Sequence, residues 1–241
     1  MNKKIIIISV FGLVVIFGFL VVISNLKNKT APQPVLTANF IDLDKVDKIS
    51  KYRSCQGHTV VPQESMESKR NMKHYVVLKP EFTGGNKVPV YSPLNGVVKS
   101  IRSEPDKGLE GEIWLGVKGN DWDFSIQHIN IASNIKGRQK VKAGDIIGYV
   151  ANRGIDVVYG VGARSVKMID GRYESPYSDL DSPFNHMGTE LIAQYQAKGI
   201  NQNDMSYTKE QRDAISCQYR ENDNEGGLND FAHPEDWVEV N

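Results

Sequence analysis

From Tyr91 to Val150 glycine and proline cut the chain into short runs whose apolar residues alternate, a pattern that fits an antiparallel β fold. The stretch opens with a strand, a Pro/Gly turn and a second strand, Tyr91 to Val98. It closes with Val141 to Val150. Between them, Ile113, Leu115 and Val117 alternate in one run, and Phe124 and Ile126 in another. Ile129 continues the second run after a slip at Gln127-His128. Glycines 96, 111, 119, 144 and 148 stand at the ends of runs, where they supply positive φ or a bulge. The strands are therefore expected to be short and sharply turned.

The matching segments are Pro93 to Val98, Ser125 to Ile129 and Val141 to Gly148. In this order they resemble the "P-x-x-G-x-V", "Tyr-x-His-Leu" and "V-K-x-G-x-x-I-G" segments of the lysostaphin-type (LytM-like) zinc metallopeptidases. The resemblance covers roughly residues 55–160. It implies a mainly β chain with a barrel-like β-sandwich of the duplicated hybrid motif type. Biotinyl and lipoyl carrier domains share the glycine framework, but here Lys167 lies too far beyond Gly144 to be their modified lysine.

Before this stretch the chain carries a different signal. No charge occurs between Lys4 and Lys27, and Ile5 to Leu26 is apolar with few interruptions. About 20 helical residues span a hydrocarbon core. The run is longer than the apolar region of a cleaved signal peptide, and Asn25 to Thr30 is a poor cleavage site. The expectation is a transmembrane signal anchor, residues 5–26, with the remainder extracytoplasmic at the cell membrane. Four of the 29 basic residues precede residue 30 and all 29 acidic residues follow it, without a basic cluster. Nucleic acid is thus not expected as a partner. The partners expected are the membrane and an unidentified protein, peptide or glycan.

The two cysteines, Cys55 and Cys217, lack metal-binding or redox spacing, and in an exported chain they read as a disulfide. Beyond the β region, Ser182 and Pro183 start a helix with Phe184, Met187, Leu191, Ile192 and Tyr195 on one face and Gly199 at its end. Thr208 and Gln211 start a second, running to about Cys217. The divisions expected are an anchor (1–29), a linker (30–50), a β-domain (51–170) and a small helical appendage (171–241).

The resemblance also implies where chemistry would lie. In the family, a His-x-x-x-Asp pair and the second His of a His-x-His hold zinc. The first His of that pair and the His of the Tyr-x-His-Leu strand assist the attacking water. His58 is the candidate for the first ligand, but Pro62 stands four residues later. His128 takes the place of the strand histidine. Asp156 and Val158 align with the His-x-His, and valine has no lone pair to offer. The candidates are His128 and Asp156 as vestigial catalytic residues and His58 and His74 as metal ligands, with Glu64 and Glu67 available to a rearranged site. The expectation is a non-catalytic binding or scaffold module without a cofactor. The alternative is a metallohydrolase with a rearranged zinc site, acting on cell-wall or peptide bonds.

Overall fold

In the computed structural model the alternating runs are strands. The structure describes residues 33–61, 67–104, 109–161, 166–167, 173–174, 179–220, 227–228 and 232–241. The expected membrane helix, with Ile5 and Leu26, lies outside these residues, as do Pro62 and Glu64. Among the described residues no helix is long and apolar enough to cross a membrane.

In chain order the strands are β1 (Val46–Ser50), β2 (His74–Leu78), β3 (Pro89–Tyr91), β4 (Gly96–Glu104), β5 (Leu109–Gly116), β6 (Trp122–Ile131) and β7 (Lys140–Val141). They continue with β8 (Ile146–Val150), β9 (Gly154–Val161), β10 (Val166–Lys167), β11 (Tyr173–Glu174), β12 (Asp179–Asp181) and β13 (Trp237–Glu239). The helices are α1 (Thr189–Gln196) and α2 (Lys209–Ala214). An open sheet runs β13-β1-β2-β9-β6-β5-β4-β7, with β12 on β9 and β8 joining β6 to β3. Its ladders are antiparallel. The chain is thus mainly β with few helices, and its sheet is open rather than closed into a barrel.

Alternation divides the central strands between two environments. Ile113, Leu115, Phe124, Ile126, Val157 and Tyr159 point into the main core. Trp114, Ser125, Gln127, Asp156 and Val158 alternate with them on the opposite face. Near the middle of β6 the ladder slips. Gln127 pairs with Glu112 and Ile129 with Gly111, leaving His128 as one extra residue. His128 has φ 64°. Such a bulge bends the strand and re-aims a side chain. Residues 122–127 then pair with β9, and residues 129–131 with β8.

The stretch expected as a linker, 30–50, contains β1 and the fully buried Phe40, Ile41 and Ile49. At the other end β13 pairs with β1, and Val240 joins the same core. Ser182 caps as expected, accepting from Phe184 N, but only a 3-10 turn, Pro183–His186, follows. The helix resumes at Thr189 because Leu36 takes the intervening backbone: its N–H donates to His186 O at 2.8 Å, and its carbonyl accepts from Gly188 N at 2.8 Å. Thr208 and Gln211 form both bonds of the capping box, and α2 ends at Ala214 rather than near Cys217. Cys55 and Cys217 are joined, with their Cα atoms 5.2 Å apart.

Candidate functional site

The bulge presents the His128 side chain, 48% exposed, between carboxylates from the strands on either side. Glu110 on β5 lies with Oε2 2.5 Å from Nδ1. Asp156 on β9 lies with Oδ2 3.3 Å from Nε2. The Asp156 carboxylate beside Nε2, outweighing partial burial, raises the imidazole pKa to about 9, and Glu110 adds to it. At neutral pH the ring is an imidazolium: Nδ1–H donates to Glu110, and Nε2 forms an ion pair with Asp156.

Asp156 is 4% exposed, and a carboxylate so buried needs cationic neighbours. Lys73, 3% exposed and just ahead of β2, supplies a second. Its Nζ lies 3.8 Å from Asp156 Oδ2 and donates to Gln127 Oε1. Tyr75 faces Asp156 across the β2–β9 ladder. A cleft of about 300 Å³ opens here, lined chiefly by Tyr75, Glu110, His128, Asn152, Arg153 and Asp156. Gly154 lets β2 and β9 close at its edge, since a Cβ there would lie 2.0 Å from Val76 O.

The candidate residues fall in different places. His128 and Asp156 come together. His58 is not among the cleft-lining residues. Its N–H donates to the Tyr75 hydroxyl at 3.3 Å, and Gly57 before it, at φ 69°, leaves room for the Tyr75 ring. His74 is fully buried on the core side of β2. Its Nδ1–H donates to Ser50 O and its Nε2 accepts from the Ser182 hydroxyl, both at 2.7 Å. Burial lowers its pKa to about 4, so the ring is neutral and both nitrogens are in use. His186 stacks on Tyr159 at 4.0 Å and pairs with Asp181. His233 bonds Glu235 and Ser216 near the surface. Glu67 is engaged by Arg53 at 2.8 Å and by Arg212.

The donor set does not fit a catalytic zinc. Such a site takes three deprotonated protein ligands and keeps one open position. His128 directs both nitrogens at carboxylates, Val158 packs against Trp114, β2 offers the cleft Tyr75 and Val77, and Lys73 stands behind Asp156. Among the described residues no three His, Cys, Asp or Glu side chains gather to hold a metal ion.

The sequence alone assigned no role to Glu110 or Lys73. Glu110 becomes visible only when the bulge sets Gly111 opposite Ile129. Lys73 stands one residue ahead of β2, and what its side chain meets depends on the β2–β9 pairing.

No family model matches the sequence, and no curated protein matches it. Solved structures similar to it include a mutant catalytic domain of the prophage-encoded M23 protein EnpA from Enterococcus faecalis. That domain is 18% identical over 56% of this chain and 92% of its own, at a TM-score of 0.33. Lysostaphin in solution is 16% identical over 55% of this chain and 49% of its own, at 0.37. Csd3 from Helicobacter pylori is 14% identical over 52% of this chain and 32% of its own, at 0.33. The chain thus spans about half of lysostaphin and a third of Csd3. Lysostaphin, whose family the sequence resembles, is among them.

Proposed function

We propose that this chain is a membrane-anchored, extracytoplasmic binding or scaffold module that keeps the frame of a lysostaphin-type peptidase and has lost its catalysis. The observation that carries this reading is the placement of His128 between Glu110 and Asp156, with Lys73 behind. The imidazolium must give up a proton before it can bind zinc or accept a proton from water, and the two carboxylates oppose that loss. The cleft still offers an aromatic ring at Tyr75, an exposed amide at Asn152, the guanidinium of Arg153 and the Glu110 carboxylate. These groups suit a peptide or glycan strand. The apolar run from residue 5 to residue 26 serves as the anchor, and the Cys55–Cys217 bond suits an oxidising compartment.

Metal analysis of the dialysed, detergent-solubilised chain, beside a turnover assay on peptidoglycan peptides with added zinc, tests the chemistry. The expected result is no stoichiometric zinc and no cleavage. Tightly held zinc, lost together with turnover in His128→Ala, would establish the rearranged metallohydrolase instead. Protease protection on intact cells tests the topology: digestion of residues beyond 34 from outside is expected, and full protection overturns the extracytoplasmic placement.

A further inference from the structure

We infer that Lys73 is the built-in cation of this cleft and the side chain that closes it to divalent metals. The inference rests on the non-catalytic reading above and names the residue that enforces it. Asp156 Oδ2 has two cationic neighbours, His128 Nε2 at 3.3 Å and Lys73 Nζ at 3.8 Å. A metal held through that oxygen would have to displace one of them and would meet the charge of the other. At about 4 Å a like charge is strong enough to change affinity by more than tenfold. Lys73 is 3% exposed and anchored on Gln127 Oε1, so it does not swing out to solvent at small cost.

The position matters as much as the charge. Lys73 stands one residue ahead of β2 and reaches from behind the cleft to the same Asp156 oxygen that His128 faces. A metal-binding side chain there would face the same carboxylate that Lys73 now faces. With Asp156 and His128 it would complete the three protein donors of an open tetrahedral site. The cleft is thus one residue from a metal site, and that residue is occupied by a cation.

Zinc titration calorimetry and metal content after dialysis, on the full chain in detergent, test this with Lys73→His and Lys73→Gln. Lys73→His is expected to bind zinc at least about tenfold more tightly than the wild type. Lys73→Gln, which removes the charge and adds no strong ligand, is expected to fall between them. Adding Asp156→Asn to Lys73→His should abolish the gain, and a gain that survives it refutes the assignment. Folded variants that bind no better than the wild type overturn the inference while leaving the non-catalytic reading intact. Stoichiometric zinc in the wild type overturns both. A Lys73→His chain that stays unfolded with zinc present also counts against it, because a metal bound there should restore the fold by linkage.

Discussion

His128 and His74 stand 54 residues apart in the sequence and are held in opposite protonation states by what surrounds them. Nuclear magnetic resonance of the imidazole protons should show one ring titrating near pH 9 and another near pH 4. The signs for stability are opposite too. The folded pKa of His128 is raised, so its contribution is complete below the ordinary value of about 6.5 and is lost as pH rises through about 9. The folded pKa of His74 is lowered, so the unfolded chain takes up its proton first. Its contribution is present above about 6.5 and is lost as pH falls towards about 4. The melting temperature of His128→Gln should therefore fall less than that of the wild type between pH 7 and pH 10. Equal slopes would show that the two carboxylates do not hold the imidazolium.

The central strands were legible at the scale of elements because apolar alternation sets strand faces directly, as in Ile113 with Leu115 and Phe124 with Ile126. The slip at Gln127-His128 was legible for the same reason, since alternation breaks where an extra residue enters. Which strand lies beside which was not. The pairing of β2 with β9 joins residues about 80 apart, and nothing local encodes it. The first-ligand position was therefore sought at His58, whereas the strand opposite Asp156 is β2. The break between the 3-10 turn and α1 escaped notice similarly, because its cause, Leu36, lies about 150 residues earlier. Gly154→Ala tests the β2–β9 pairing. Its methyl would collide with Val76 backbone, and a cost of about 1–3 kcal/mol is expected for overpacking. Denaturant unfolding should register the loss, and the high His128 titration should move down as Asp156 shifts. An unchanged midpoint with an unchanged titration contradicts this account of the cleft.

Across the whole molecule, the segment around Cys55 is fastened to the chain's last quarter by three independent means. The disulfide closes a loop with a sequence separation of 162 residues. Asp236, fully buried, accepts from Cys55 N at 2.8 Å and from Gln56 Nε2 at 3.2 Å. Arg212 and Arg53 meet on Glu67. In the chain-entropy model the disulfide stabilises by up to about 5 kcal/mol, and the other ties limit what its removal exposes. Cys55→Ser with Cys217→Ser should lower the denaturation midpoint and keep the native circular dichroism spectrum at low temperature. Peptide mapping without reductant should recover one linked pair from the wild type, and two alkylated thiols would contradict the bond.

The bulge at His128 also acts as a phase shift in β6. Ile126 and Ile129 are both fully buried in the main core, although an odd spacing in a regular strand sends side chains to opposite sides. The extra residue reconciles them. Deleting His128 would leave Ile126 and Ile129 at an even spacing, so both stay on the core face and the shortened strand is expected to fold as a regular ladder that has lost the side chain aimed at the cleft. Asparagine or glycine at the same place tolerates φ 64° and should fold. The core therefore fixes the faces on either side of the kink, while the identity of the side chain at the kink is free to vary. A sheet built this way keeps an address for a functional group whether or not any chemistry is delivered there.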